Sequence, residues 1–311
     1  MSSPPPAPSP QQLRALRHSP VPLLASLAGS TASTRSFSVI ASELSHSLSN
    51  EWKGRTVLIT GAASGIGAAV ACEAGSRGAN VVLGDLASQE QQVEKVVADI
   101  KASGGQATYR SVDVTSWPQQ LALFRDALDM FGKIDVVFAN AGIAYDSFDI
   151  VKSEPETDKR PAMDILRVNL EGAAYSAHLA HHFLSKNPNI NGKALVFTGS
   201  LAGFMGGNPP LYYASKHGVL SLARSVAPTV YIAPSNVRTP IFPADWVEAF
   251  EQAGVELLNV QDVARAMLWA ASKDGGSKRG EAVMLDVSGV RTVSLNMLEW
   301  EGAAKAVRAR L

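Results

Sequence analysis

RTVLITGAASGIG, residues Arg55–Gly67, is the stretch whose reading decides the fold. Arg55–Thr60 is a short, β-branched apolar run closed by glycines, the pattern of a strand buried on both faces. A helix-compatible stretch follows from Gly65 to about Gly78, and a second apolar run, Asn80–Gly84, is closed by Asp85. Strand, glycine-rich turn, helix and strand in that order describe a unit with two parallel strands and a crossover helix.

The alternation continues in both composition and order. Ser88–Ser103 is amphipathic, with Val93, Val96, Val97 and Ile100 at helical spacing. Strand patterns follow at Ala107–Val112, Ile134–Phe138, Lys193–Thr198, Val230–Ala233 and Ala282–Leu285. Helical patterns lie between them at Trp117–Phe131, about Pro161–Leu184, about Leu211–Ala227 and Val260–Ser272. Such a series predicts an α/β chain with a single doubly wound parallel sheet and helices on both faces. No internal repeat or linker interrupts residues 54–290, so residues 51–311 are read as one domain.

The 311 residues are 46% hydrophobic and 18% charged, enough to bury a large core. Lys plus Arg and Asp plus Glu both number 28, so no net field recruits nucleic acid or an anionic membrane. No apolar run reaches the length of a membrane span. The single cysteine, Cys72, excludes an internal disulfide framework and a cysteine-rich zinc site, and no metal is expected. Residues 1–50 differ: rich in Ser, Pro and Ala, they carry Arg14, Arg17, His18 and Arg35 before the first acidic residue, Glu43. They read as a tail of biased composition, which leaves the chain cytoplasmic, or as an organellar presequence, which makes it mitochondrial.

In a doubly wound sheet ligands sit beyond the carboxyl ends of the strands. At the end of the first strand, Gly61, Ser64, Gly65, Ile66 and Gly67 form a turn that lets backbone approach a pyrophosphate at a helix amino-terminus. Asp85 ends the second strand, placed to accept hydrogen bonds from an adenine ribose and to repel a 2′-phosphate. Ala62-Ala63 and Leu86-Ala87 offer no cation for that phosphate, so NAD is expected over NADP. Asp113 and Val114 close the third strand, and Asn140, Ala141 and Gly142 the fourth. Each of these has a bland alternative as turn chemistry, Asp85 as a simple cap included.

Ser200 closes the fifth strand, and Tyr212-Tyr213-Ala214-Ser215-Lys216 opens the next helix. Tyr212 and Lys216, four apart, share a helical face. A phenol with a free pKa of about 10 is a poor base, but a neighbouring ammonium and a nicotinamide cation both favour phenolate. Ser200 can then orient a substrate oxygen. The expected chemistry is hydride transfer between NAD and a secondary alcohol or ketone, with Tyr212 as general acid and base. Phe204, Met205, Ile241, Phe242, Trp246 and Phe250 are candidates for an apolar substrate wall, the last two on one face of a lid helix; packing under a loop is their alternative.

The set Thr60-Gly61…Gly65-Ile66-Gly67, Asn140-Ala141-Gly142, Ser200 and Tyr212…Lys216 resembles the classical short-chain dehydrogenases/reductases over about residues 54–290. That resemblance implies a Rossmann fold, a nicotinamide cofactor, and Ser200, Tyr212 and Lys216 as catalytic residues. Asn169, in Arg167-Val168-Asn169-Leu170, matches the family Asn that holds a water near the Lys. Val237 and Thr239 match the segment touching the nicotinamide half. A homodimer or homotetramer is implied as well. Ser200–Gly203 with Ala214–Gly218 looks most like the 15-hydroxyprostaglandin dehydrogenase branch.

Two departures stand out. Ser235 follows Pro234 where the family usually has glycine. The chain also runs from Ser225-Val226-Ala227-Pro228-Thr229 straight into the next strand, where the family continues the helix and turns on a glycine. That short connection favours a competing reading, a non-catalytic dinucleotide-binding protein. A third reading is an NADP-dependent ketone reductase.

Overall fold

The computed structural model describes residues 51–144, 162–188, 192–226, 229–272 and 280–294. Residues 1–50, the expected helix start at Pro161, and Ala227 and Pro228 lie outside them. Six parallel strands follow the expected order: β1 (Thr56–Thr60), β2 (Asn80–Asp85), β3 (Gln106–Ser111), β4 (Val136–Ala139), β5 (Ala194–Thr198) and β6 (Thr229–Pro234). β7 (Glu281–Asp286) is also parallel to its neighbour, and β8 (Gly289–Ser294) folds back antiparallel on it. The sheet order is β3-β2-β1-β4-β5-β6-β7-β8. Chain direction across the sheet therefore reverses between β1 and β4, which opens a crevice beyond their carboxyl ends.

Side-chain alternation along the strands divides the core in two. Val57, Ile59, Val81, Leu83, Val230 and Ile232 face one layer, with helices α1 (Gly65–Ser76), α2 (Glu90–Ala102) and α7 (Val260–Ala271). Leu58, Val82, Tyr231 and Ala233 face the other. That layer holds α3 (Trp117–Phe131), α4 (residues 164–186) and α5 (Pro210–Ser225). Helix α4 begins at Asp164–Leu166, widens to a π-helical stretch at Arg167–Glu171, and runs on through Gly172–Lys186. β1 is buried along its whole length, so its run of apolar residues needs no alternation.

The short connection after α5 leaves the sheet intact. Helix α5 ends at Ser225, β6 starts at Thr229, and β6 pairs in register from Leu195↔Thr229 to Thr198↔Ile232. The Thr229 hydroxyl donates to the Ala223 carbonyl at 2.6 Å, stitching the strand start to the last turn of the helix. Among the described residues no helix is long and apolar enough to cross a membrane, and no cluster of three metal-ligating side chains occurs.

Candidate active site

Where the sheet reverses, the strand ends surround a cleft of about 890 Å³. Gly61, Ser64, Gly65, Ile66, Asp85, Asp113, Val114, Asn140, Ala141, Gly142, Ser200, Tyr212, Lys216, Val237 and Thr239 all line it. Two expected residues do not. Gly67 lies beneath the loop: a Cβ there would fall 2.0 Å from the Gly61 carbonyl oxygen and 2.6 Å from Asn140 Nδ2. Its lack of a side chain serves the packing of the loop on the sheet, not contact with a ligand. Asn169 is also buried, for the reason given below.

The dinucleotide end fits its expected guest. Gly61 has φ +69°, a conformation that favours glycine, and a Cβ there would strike Ala141 at 2.7 Å. Ser64, the N-cap of α1, makes no side-chain capping bond, and the first turn holds no acidic residue. The amino-terminal N–H groups of α1 have no helical carbonyls to meet, so this end of the cleft can hold a pyrophosphate.

Asp85 does two things at once. One carboxylate oxygen accepts the Ala63 N–H and the other the Leu86 N–H, each at 2.8 Å. It is therefore a turn cap, yet it is only half-buried and lines the cleft, and each oxygen keeps a further lone pair. Asp113 likewise holds Thr115, accepting from its N–H (2.9 Å) and hydroxyl (2.8 Å). Around them Leu86, Gln89, Val114 and Thr115 bring no cation.

Asn140 corrects the simple reading of a ligand amide. Its Nδ2 donates to the carbonyls of Thr60 and Gly61, both at 3.0 Å, and its Oδ1 accepts the Thr198 hydroxyl at 2.9 Å. The side chain ties the ends of β1, β4 and β5 together, leaving only its neighbourhood to the cofactor. Asn169 is similar. Its Oδ1 accepts Ile143 N–H at 2.8 Å, and its Nδ2 donates to Ile143 O (2.9 Å) and Ser215 Oγ (3.0 Å). Only one lone pair on Oδ1 is left for a water near Lys216. Ser215, noticed in the sequence merely as part of the tyrosine motif, passes the link on by donating to Tyr212 O at 2.7 Å. Thus α4, α5 and the end of β4 are locked together beside Tyr212.

Ser200, Tyr212 and Lys216 converge at the other end. The Ser200 Oγ accepts Ala202 N–H at 3.1 Å, and its hydroxyl lies near enough to the Tyr212 phenol to favour the phenolate. Lys216 Nζ donates to Thr198 O at 2.9 Å and lies 5.6 Å from the Tyr212 ring centroid. The electrostatics differ from the sequence expectation. Burial pushes the Tyr212 phenol up to about 12, partly opposed by the nearby Ser200 hydroxyl. Burial alone brings Lys216 down to about 8. Both shifts have one cause: a water-poor corner penalises phenolate and ammonium alike.

The proposed apolar wall divides. Ile241 and Phe242 line the cleft. Phe250, on helix α6 (Ala244–Gln252), is instead fully buried, edge-on to Phe242 at 5.2 Å and to Trp246 at 6.1 Å. Phe204 packs edge-on against Tyr231 at 5.9 Å. Phe204, Trp246 and Phe250 therefore support the wall rather than form it.

A family model described as short chain dehydrogenase matches residues 55–242. A 5′-hydroxyaverantin dehydrogenase of Dothistroma septosporum is 35% identical over 67% of this chain and 75% of its own. A probable tetrahydroxynaphthalene reductase of Zymoseptoria tritici is 29% identical over 75% of this chain and 93% of its own. In structure the chain is similar to levodione reductase, with TM-score 0.65 and 26% identity, covering 75% of this chain and 96% of that one. None of these singles out the 15-hydroxyprostaglandin dehydrogenase branch.

Proposed function

The chain belongs to the short-chain dehydrogenase/reductase family and is an NAD(P)-dependent oxidoreductase acting on CH–OH groups; we propose that it interconverts an apolar, ring-bearing secondary alcohol and its ketone with NAD. The observation that carries this reading is the convergence of Ser200, Tyr212 and Lys216 on a cleft whose Asp85 end is lined by Leu86, Gln89, Val114 and Thr115, none of them cationic. A nicotinamide held along this cleft would supply or accept the hydride at the carbinol carbon. Ser200 hydrogen-bonds the substrate oxygen and fixes it beside the Tyr212 hydroxyl, which takes the proton in oxidation and returns it in reduction. Lys216, held by Thr198, keeps a mobile proton next to that phenol. Asn169 and Ser215 hold the tyrosine's helix in place.

The apolar character rests on Ile241 and Phe242 at the cleft, and two relatives are named for hydroxylated naphthalene and averantin substrates. The preference for NAD rests on Asp85. At about 4 Å and an effective dielectric of about 20, its charge would repel a 2′-phosphate by roughly 4 kcal/mol before solvent screening.

Purified protein incubated with NAD or NADP and a panel of cyclic and linear secondary alcohols, followed by absorbance of the reduced cofactor, tests this reading. Turnover of ring-bearing alcohols is expected, and Tyr212→Phe should lower it by roughly 10²–10⁴ while cofactor binding persists. A Tyr212→Phe variant with half the wild-type rate would refute the assignment of the proton-transfer group.

A further inference from the structure

Tyr231 occupies the middle of β6 and is fully buried, yet nothing in the proton chemistry above uses it. Its ring runs under the end of β5. A Cβ on Gly199 would lie 2.0 Å from Tyr231 Cζ and 2.4 Å from its hydroxyl oxygen, and one on Gly203 would lie 2.3 Å from that oxygen. Neither glycine has positive φ, so neither needs to be glycine for its backbone. Both are small because the tyrosine fills the space.

The hydroxyl sits among three backbone groups. It accepts the Ser200 N–H at 3.2 Å, and it faces the carbonyls of Ser200 (3.1 Å) and Lys216 (3.3 Å), donating its single proton to one of them at a time. Burial raises its pKa, so the phenol stays a neutral donor. We propose that Tyr231 is a positioning residue, whose hydroxyl ties the backbone of Ser200 at the end of β5 to that of Lys216 on α5 and so sets the spacing of the groups that flank Tyr212. The proposal rests on the reading of Ser200 and Lys216 as catalytic residues. It accounts for the pairing of a large residue at 231 with glycine at 199 and 203, residues far apart in sequence that meet only in the fold.

The test uses the full chain with cofactor and the alcohol it turns over best. Tyr231→Phe keeps the ring and removes the tie. It should lower kcat by roughly ten- to a hundredfold, the scale of a small misplacement of reacting groups, while the KM for the cofactor stays near its wild-type value. Ser200→Ala should then lower kcat by a much smaller factor in the Tyr231→Phe background than in the wild type, because the hydroxyl is already out of place. An unchanged kcat, even with a lower melting temperature, would overturn the proposal, as would two substitutions whose effects simply multiply. Gly199→Ser combined with Tyr231→Ala supplies a second arm. The serine hydroxyl would stand one bond from a Cβ that lies 2.4 Å from the lost phenol oxygen. The pair should recover turnover that Tyr231→Ala alone loses, and a pair no better than Tyr231→Ala overturns the role of the hydroxyl. If Ser200→Ala leaves wild-type kcat intact, the catalytic reading itself fails, whatever Tyr231 does.

Discussion

Replacing Lys216 with methionine should change how stability depends on pH, by an amount the site itself sets. The side chain is only 5% exposed, and burial lowers its pKa from 10.5 to about 8. A drop of about 2.5 units, at about 1.4 kcal/mol per unit, makes the buried ammonium a penalty of about 3 kcal/mol at neutral pH. The sign follows from proton binding: above about pH 8 the unfolded lysine holds a proton that the folded one has shed, so stability rises with pH until the unfolded group also titrates. Between about pH 6 and about pH 9.5 the penalty shrinks by about 2 kcal/mol. That window stays below the titration of Tyr212, whose phenol is pushed up to about 12. Methionine has a similar stem and no charge. It also deserts the Thr198 carbonyl, but that loss is the same at every pH. Urea unfolding of wild type and Lys216→Met at the two ends of the window reads the difference. The wild type should gain about 2 kcal/mol on the variant as pH rises. A gap that does not move, or that closes in the opposite direction, would show that the ammonium is stabilised in place and would refute the reasoning.

Gly67→Ala places a Cβ 2.0 Å from the Gly61 carbonyl, so it should weaken equilibrium cofactor binding by about tenfold or more, whereas Gly206→Ala, with open space around it, should bind as wild type does. Phe250→Ala should destabilise by about 3–5 kcal/mol in denaturant unfolding, since it empties a closed aromatic cluster. Phe242→Ala should instead act on the KM for ring-bearing alcohols; equal effects of the two on KM would contradict their separate placement. Asp85→Asn keeps an acceptor for one of the two turn N–H groups but removes the charge, and should raise kcat/KM for NADP relative to NAD by about tenfold, equivalent to about 1.4 kcal/mol. A wild-type enzyme that already prefers NADP would leave Asp85 as a turn cap alone.

Much of this protein was decided by the sequence alone, because the deciding signals are local. A buried strand, a glycine turn and a helix in succession mark β1 and α1 within a dozen residues. Apolar runs and helical periodicity placed the parallel strands, and spacing of four put Tyr212 and Lys216 on one face. The antiparallel β8 escaped notice because an edge strand made by a tight reversal carries little periodicity of its own. Only the tertiary structure could show that Asn140 and Asn169 are engaged by protein, that Phe250 lies under the wall, and that Tyr231 reaches Ser200 and Lys216. Those facts depend on strands and helices brought together across long stretches of chain. The same holds for the titration of the site. Four-residue spacing brings an ammonium near a phenol, but the sign of each shift depends on how much water the rest of the fold excludes. Here that exclusion raises the tyrosine and lowers the lysine, since a charge loses more in leaving water than this neighbour returns.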